Sequence, residues 1–251
     1  MREITVVAPA KLTLSLRITG VRADGLHELD AVMVTVSEPH DTLTITPAGA
    51  MSLSVSGADA PTDASNLAWR AAEVCGAAVA LRLHKDIPAG AGLGGGSADA
   101  AAVLRALDAD PALGATLGAD VPFCVRGGAA RVRGIGDLVE PIEVPTRHVV
   151  IATPNFGCVT ALVYRAWDAL GGPHAPPNDL EPAAQHVEPR LVAFKDTVES
   201  AAGAPAILAG SGSSYAVLFD GEAAAAAART RVAAAIHGSV WLGRAPANDH
   251  T

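Results

Sequence analysis

The N-terminal part of the chain alternates between apolar and polar positions. Leucine occupies positions 12, 14 and 16, and polar residues lie between the leucines. A period of two is typical of a half-buried β-strand, and it places Lys11 and Thr13 on the same polar face. The turn signal at residues 23–25 and the apolar run at residues 31–36 predict that a second strand pairs back on the first as a hairpin.

The rest of the first half predicts strands that alternate with helices. Asn66 has the side chain and the position of an N-cap for a helix with apolar residues on one face. A second helix is expected to begin at Ser97, because the alanines and leucines after it recur with helical spacing. Further strands are expected near residues 43–45, 53–55, 80–84, 121–125 and 129–132.

The segment 143–148, which contains Pro145, is a candidate domain boundary. We therefore expect one domain over residues 1–146 and a second over residues 147–251. In the second half, strands are expected at 149–151 and within a strand–loop–strand unit at 207–219, and helices near 161–170, 190–201 and 222–236. Strands followed by helices in both halves predict an α+β fold with two domains.

Composition excludes a disordered chain, because half of the residues are hydrophobic and only 18% are charged. The alanine-rich tract at 222–236 is too short to span a membrane and carries Arg229 and Arg231. The first residues lack the apolar core of a signal peptide. We expect a cytoplasmic protein with no membrane partner.

The formal net charge of −8 argues against extended contact with nucleic acid, which requires clustered lysine and arginine. Cys75, Cys124 and Cys158 lie far apart in the sequence and are expected to be buried, reduced thiols. The histidines show no metal-ligand spacing, so no protein metal site is predicted. The sequence does not predict the oligomeric state.

A glycine-rich segment joins the strand near 80–84 to the helix at Ser97. Glycines let the backbone approach a ligand and turn successive N–H groups toward anionic oxygens, and the start of the helix adds further donors. A flexible turn would explain the glycines alone, but a strand and a periodic helix on either side favour a phosphate site. The segment lacks the lysine of a P-loop and the acidic residue of a dinucleotide fold. Its candidate nucleotide-binding residues are Pro88, Ala89, Gly90, Ala91, Gly92, Leu93, Gly94, Gly95, Gly96, Ser97 and Ala98.

This segment resembles the central motif of the GHMP small-molecule kinases, which reads Pro-x-x-x-Gly-Leu-Gly followed by small residues and serine. Within that superfamily, residues 8–14, 22–27 and 117–123 resemble the family of 4-diphosphocytidyl-2-C-methyl-D-erythritol kinases. Residues 178–181 and 210–213 also follow in the expected order. The resemblance covers nearly the whole chain, and the joint order and spacing of the motifs make it specific.

The resemblance implies an N-terminal ATP-binding domain and a ferredoxin-like C-terminal domain, with the active site in the cleft between them. It implies transfer of the ATP γ-phosphoryl group, with Mg²⁺ as cofactor, to the 2-hydroxyl of a small polyol linked to cytidine diphosphate. That reaction is a step of the non-mevalonate isoprenoid pathway.

The resemblance also implies roles for individual residues. Asp120 corresponds to the catalytic base and Lys11 to the lysine beside it; without the resemblance they would be interpreted as a turn aspartate and a solvated lysine. His27 and Tyr164 correspond to residues that hydrogen-bond and stack on the cytosine. Asn66 and Lys85 correspond to positions near the adenine and ribose. A helix cap alone would also explain Asn66, and a solvated strand lysine would also explain Lys85.

The chain departs from the family pattern at two substrate-binding positions. Thr13 replaces an asparagine and Leu26 replaces an aromatic residue, so we expect one polar contact and part of the base stacking to change. The segment between Leu107 and Leu117 is also short, and a turn is expected there. These departures leave two alternatives open: a related GHMP kinase with a different alcohol substrate, and a catalytically silent nucleotide-binding module.

Overall fold

The computed structural model describes residues 2–247, which form two β-sheets and the helices that cover them. Strands in the first half are β1 Ile4–Val21, β2 His27–Pro47, β3 Ser52–Gly57, β4 Val79–Lys85, β5 Ala129–Gly134 and β6 Leu138–Pro141. Its helices are α1 Leu67–Val74, α2 Gly95–Ala106, α3 Gly114–Leu117 and α4 Val121–Arg126, with one 3₁₀ turn at Pro111–Leu113.

The first sheet is built around the long strand β2. It pairs along its length with β1, confirming the predicted hairpin, and on its other edge with β4 and β5. The strand order is β3-β4-β2-β5-β6, and only the β3–β4 pair is parallel. Helix α2 packs against this sheet with seven buried residues, because alanine at most of its inward positions permits close approach.

The second half contains β7 Arg147–Pro154, α5 Thr160–Ala169, α6 Glu181–Val187, α7 Arg190–Ala202, β8 Ile207–Leu208, β9 Tyr215–Phe219, α8 Glu222–Ala235 and β10 Gly238–Ala245. The second sheet has the order β10-β7-β9-β8, and all its pairs are antiparallel. This order, with helices after β7 and β9, is the ferredoxin-like β-α-β-β-α-β arrangement, here with three helices in the first connection.

Two groups of apolar side chains form the core. The larger group lies between the sheets and their helices and includes Phe123, Leu104 and Tyr215. A smaller group joins the two sheets, because it combines Leu12 and Val34 from the first with Ile151 and Ala216 from the second; Ala10, Val36, Ile87, Ala91, Leu93, Val149, Ala209 and Ala245 complete it. The glycine-rich segment therefore contributes directly to the apolar contact between the sheets.

The α+β class is confirmed, but several element boundaries differ from the predictions. Residues 121–125, expected as a strand, belong to helix α4; the short apolar run did not distinguish the two structures, and Pro122 suits the first turn of a helix. Helix α2 begins at Gly95, two residues before Ser97. Helix α6 and strand β10 were not predicted. In the short 107–117 segment, the predicted turn is one 3₁₀ turn followed by the single-turn helix α3.

The domain division at residues 146 and 147 stays a prediction. The last strand of the first sheet ends at Pro141, and the first strand of the second begins at Arg147. Met1 and residues 248–251, the outer ends of the two predicted domains, lie outside the described residues. No helix within residues 2–247 is long and apolar enough to cross a membrane.

Asn178 fastens the connection between the sheets. It is fully buried, and its side-chain amide donates to the carbonyl oxygens of Leu208 at 2.9 Å and Gly210 at 2.7 Å. Its backbone forms a bridge with Leu16 of β1, on the first sheet. The side chain of Asn178 thus donates to the end of β8 and to the loop after it, while its backbone lies against the first sheet.

We predict that Asn178→Ala lowers the free energy of unfolding by roughly 2–4 kcal/mol, because it leaves buried carbonyl groups without a donor. Chemical denaturation followed by circular dichroism measures this loss. Asn155→Ala, at an exposed position, is the matched control and should change the stability by less than about 0.5 kcal/mol. Equal stabilities for the two variants would contradict the assigned role of Asn178.

Candidate active site

The glycine-rich segment forms a tight loop between β4 and α2. Gly90, Gly92 and Gly94 have φ angles of +69°, +76° and +68°, a conformation that other residues rarely adopt. Every second residue from 90 to 94 therefore has a positive φ angle, which glycine adopts without strain. This geometry accounts for the glycines at 90, 92 and 94 in the sequence motif.

The carbonyl groups of this loop are held by the rest of the protein. The oxygen of Gly90 accepts from the N–H groups of Cys158 and Ser213, that of Ala91 from Ser214, and that of Leu93 from Lys11. No backbone N–H of residues 89–94 donates a hydrogen bond to another described residue. The protein thus binds the carbonyl side of the loop and leaves the N–H side available.

Packing around the loop leaves no room for a side chain at two of its glycines. A Cβ on Gly92 would overlap the carbonyl oxygen of Ala209, and a Cβ on Gly94 would lie 2.7 Å from Cγ of Lys11. The first donors of helix α2 follow directly at Gly95. Free N–H groups and a helix N-terminus together bind anionic oxygens, so the loop has the chemistry of a phosphate site.

Lys11 and Asp120 form an ion pair next to the loop. Nζ of Lys11 lies 3.4 Å from Oδ2 of Asp120, and the two side chains are 7% and 33% exposed. The carboxylate is therefore accessible to a ligand while the ammonium group is buried behind it. Thr13 is fully buried, and Nζ of Lys11 lies 3.3 Å from its hydroxyl oxygen, which accepts the hydrogen bond.

Two cavities meet at Asp120. The first, of about 430 Å³, runs along the glycine loop. The second, of about 500 Å³, lies between the turn before β2 and helix α5. The walls of both include Leu29, Ser97, Asp120, Thr160 and Tyr164. Asp120 therefore lies where the space along the glycine loop meets a second binding space, and Ser97 borders the same junction.

An aromatic and acidic cluster forms one wall of the second cavity. His27 contacts the Tyr164 ring at a centroid distance of 4.8 Å and the edge of Trp167 at 5.6 Å. Its Nε2 lies 2.8 Å from a carboxylate oxygen of Asp168. Because a carboxylate only accepts, Nε2 of His27 donates this hydrogen bond. Burial, with a smaller effect of Asp120, raises the pKa of Tyr164 to about 12, so its hydroxyl stays protonated.

Asn66 and Lys85 both line the first cavity, but their side chains already have protein partners. Asn66 caps α1 by accepting from the N–H of Ala68, and its amide donates to the carbonyl of Pro61. Lys85 is buried and forms ion pairs with Asp41 and Asp99, so it is not solvated. The sequence contained no signal that would have assigned Asp41 or Asp99 to this site.

The remaining predicted residues, Leu26, Ala98 and Thr13, differ in their exposure and in their contact with the cavities. Leu26 lines the second cavity and is 47% exposed. Ala98 is buried in α2 and lines neither cavity, and neither does Thr13, so neither has a direct ligand contact supported by the geometry. The structure also adds Asp168 and Trp167, which sequence reasoning missed because they depend on the fold for their contact with His27.

The three cysteines are free thiols, as predicted, but only two of the three are buried. Cys124 and Cys158 are buried and Cys75 is half-buried, and none forms a disulfide. Burial raises the pKa of the Cys124 thiol to about 12, so it stays protonated and unreactive near Asp120. Among residues 2–247 there is no group of three or more His, Cys, Asp or Glu side chains placed to hold a metal ion.

Comparison with known proteins agrees with this arrangement. The family model for the GHMP kinases N terminal domain matches residues 66–128, the stretch from the α1 cap through the glycine loop and Asp120. A protein of Paracoccus denitrificans named 4-diphosphocytidyl-2-C-methyl-D-erythritol kinase is 39% identical over 249 residues, covering 90% of both chains. The chain belongs to the 4-diphosphocytidyl-2-C-methyl-D-erythritol kinase family.

Other members of this kinase family extend the agreement. A relative of the same name from Pelotomaculum thermopropionicum is 39% identical and covers 83% of this chain and 86% of its own. A crystal structure of 4-(cytidine 5'-diphospho)-2C-methyl-D-erythritol kinase superposes with a TM-score of 0.82 at 34% identity, covering 98% of this chain and all of that one. The L. major mevalonate kinase, at 14% identity and a TM-score of 0.71, shares the fold.

We predict that Gly92→Ala lowers affinity for a nucleotide triphosphate at least about tenfold, because the methyl group displaces either the loop or the segment at Ala209. Titration with a fluorescent nucleotide measures the affinity. Gly76→Ala is the matched control: its φ is +66°, but a Cβ there would contact nothing within 4 Å. Both variants carry the same backbone strain, so equal affinities would show that packing at Gly92 does not shape the site.

Proposed function

We propose that this protein transfers the γ-phosphoryl group of ATP to the 2-hydroxyl of 4-diphosphocytidyl-2-C-methyl-D-erythritol, a step of non-mevalonate isoprenoid precursor synthesis. The single observation that carries the proposal is the meeting of two cavities at Asp120, one built on a phosphate loop and one on an aromatic wall. Membership of the kinase family supports the same reaction.

The first cavity suits the donor nucleotide. The free N–H groups of residues 89–94 and the N-terminus of α2 bind the phosphate oxygens, and the hydroxyl of Ser97 donates to the same group. Asn66 lies along the wall where the adenosine end would rest, whereas Lys85 lies deeper, beside the start of α2. Because their side chains are held by Pro61, Asp41 and Asp99, they shape this part of the cavity more than they supply free hydrogen bonds.

The second cavity suits the cytidyl acceptor. Tyr164 and Leu26 offer two apolar surfaces for a base, one aromatic and one aliphatic. The lone pair on Nδ1 of His27 accepts a hydrogen bond from an exocyclic amine such as that of cytosine. The polyol end of such a molecule then reaches Asp120 at the junction of the cavities.

Asp120 is the general base in this proposal. As the acceptor oxygen forms its bond to the γ-phosphorus, the bond from phosphorus to the bridging oxygen of ADP breaks, and the hydroxyl proton passes to the carboxylate. Lys11 keeps that carboxylate oriented and offsets negative charge on the transferred group. Thr13 acts through Lys11, because its hydroxyl oxygen accepts a hydrogen bond from the ammonium group and so orients it.

Mg²⁺ enters this proposal with the nucleotide. In its usual mode Mg²⁺ is held largely by substrate phosphates and water, and we propose that mode here. Bound there, it neutralises charge on the phosphates. A cytoplasmic location belongs to the same proposal and is supported by three cysteines without disulfide partners.

Two alternative functions make different predictions. A GHMP kinase for another alcohol is motivated by Leu26, whose exposed side chain replaces an aromatic surface. Measuring ADP release with a panel of alcohols distinguishes this kinase from one that uses the cytidyl substrate. Turnover with a non-cytidyl alcohol alone would overturn the cytidyl assignment. A silent nucleotide-binding module would bind ATP and release no ADP with any acceptor.

We predict that Asp120→Asn lowers kcat by about 10²–10⁴-fold, because the amide cannot take the proton, while the KM for ATP changes little. A coupled ADP-release assay with the diphosphocytidyl substrate measures both constants. Asp196→Asn, an exposed position on α7, is the control and should keep wild-type activity. Unchanged turnover in Asp120→Asn would remove the base assignment.

We predict that Asp168→Asn raises the KM for the acceptor about tenfold and leaves the KM for ATP unchanged, because the imidazole of His27 loses its charged partner. Nitrogen NMR of His27 tests the cause independently of turnover. The wild type should carry its proton on Nε2, and the variant should populate both tautomers. A variant with an unchanged acceptor KM and an unchanged tautomer would contradict the role of Asp168.

A further inference from the structure

Three charged side chains are buried together beneath the phosphate loop. Asp41 of β2, Lys85 of β4 and Asp99 of α2 are 0%, 6% and 2% exposed. Nζ of Lys85 lies 2.5 Å from Oδ2 of Asp41 and 2.7 Å from Oδ2 of Asp99. We call these residues the carboxylate–lysine cluster. With all three ionised it carries a net charge of −1 in a region that excludes water.

The two carboxylates of the cluster differ in their hydrogen bonds. Oδ1 of Asp41 accepts from the backbone N–H groups of Asp86 and Ile87, so that side chain is fully satisfied as an anion. Oδ1 of Asp99 is buried and has no hydrogen-bond partner. An unpaired buried carboxylate oxygen is costly, and a proton on it removes most of that cost. Asp99 is therefore the position in the cluster where a proton is stable.

The cluster lies directly under the anion site. A Cβ on Gly95, the first residue of α2, would lie 3.1 Å from Nζ of Lys85. Asp99 is four residues further along the same helix and lines the first cavity. A triphosphate held at the start of α2 therefore adds negative charge close to a cluster that already has an excess carboxylate, and it favours neutralisation of that carboxylate.

Lys85 and Asp41 are the charged groups that act directly on Asp99. Burial raises the pKa of Asp99 to about 7, with Lys85 acting to lower it and Asp41 acting to raise it. Burial lowers the pKa of Lys85, but Asp99 and Asp41 outweigh it, so the ammonium group stays charged. The elements packed against α2 carry further titratable groups: Lys11, paired with Asp120, and Arg17 on β1; His27, Glu28, Asp30, Glu38 and His40 on β2; the protonated Cys124 and Arg126 on α4; and Arg70 and Glu73 on α1. Helix α2 itself also carries Arg105.

We propose that Asp99 is a proton-binding site coupled to the donor nucleotide, so that binding of a triphosphate to the glycine loop is accompanied by uptake of a proton at Oδ1 of Asp99. The inference rests on the proposed nucleotide site and adds a function to a residue that touches neither the acceptor nor Asp120. Affinity for the nucleotide then rises as pH falls, since the bound state holds the proton more firmly than the free state.

Asparagine at position 99 is a structural mimic of the protonated acid, because its amide places an N–H where the acid has O–H. Asp99→Asn should therefore bind the nucleotide at high pH as tightly as the wild type does at low pH. Between about pH 8.5 and pH 6.5, the wild-type affinity relative to that of Asp99→Asn should rise about sixfold, toward the tenfold limit that corresponds to a pKa shift of about one unit. Asp86→Asn removes an exposed carboxylate that follows Lys85 in the sequence and is the matched control with wild-type pH dependence.

The direct test is calorimetric titration of the full chain with a non-hydrolysable ATP analogue and Mg²⁺, in two buffers that differ in ionisation enthalpy. The difference in heat counts protons, and subtracting the Asp99→Asn result removes those that belong to the analogue itself. We expect the wild type to take up a larger fraction of a proton than Asp99→Asn. Infrared difference spectra of the wild type alone should gain the C=O band of a protonated carboxyl group on nucleotide addition, whether or not the variant folds.

Three outcomes would overturn the inference. Equal proton uptake in wild type and Asp99→Asn, with normal nucleotide binding, removes it and leaves the proposed kinase function intact. Weaker binding of Mn²⁺ with nucleotide in Asp99→Asn, seen by electron paramagnetic resonance without proton uptake in the wild type, would mean that a cation neutralises the cluster instead. Absence of any nucleotide binding by the wild type would overturn this inference and the proposed function together.

Discussion

The confinement of one loop between two sheets is the constraint on which the rest of the structure depends. The carbonyl oxygens of Gly90 and Ala91 accept hydrogen bonds from N–H groups in loops of the second sheet, and that of Leu93 accepts from Lys11 of β1 in the first. Apolar side chains of the same loop belong to the core that joins the sheets. At Gly92 and Gly94 the backbone passes so close to its neighbours that a Cβ would overlap them, so these positions require glycine. The packing that joins the two sheets therefore fixes the loop geometry on which the proposed phosphate binding depends.

The charged groups around this loop divide into two kinds. Lys11 and Asp120 lie where both cavities open, and the carboxylate is accessible. Lys85, Asp41 and Asp99 lie below the loop, out of reach of solvent. In the roles that we propose, the accessible pair exchanges a proton with the acceptor alcohol, and the buried cluster responds to the charge of the nucleotide. The difference between the two roles follows from the depth at which the same residue types lie.

Local sequence determined much of the fold and the centre of the site. The β1–β2 hairpin, the cap at Asn66, the glycine loop and helix α7 all follow from turn signals, caps and periodicity. Where local signals were ambiguous the prediction was wrong. Residues 121–125 form a short apolar run, which suits a strand or a helix equally well, and they belong to helix α4. The contact of Asp168 with His27 joins residues 141 positions apart, and Asp41 meets Lys85 across 44 positions. Only the fold brings such residues together, so one sequence without its structure could not assign them.

The junction of the two cavities has a consequence for ligand design. Because Ser97, Asp120 and Thr160 border both spaces, a single molecule with a nucleotide phosphate at one end and a stacked base at the other could occupy both without crossing protein. Once one end is seated, the other is held at a high effective concentration, and the overall affinity exceeds that of either half by orders of magnitude. The acidic side chain at the junction sets the chemistry of the linker, which should present a hydrogen-bond donor there. An inhibitor built on this plan would use the architecture that keeps donor and acceptor apart to bind both sites at once.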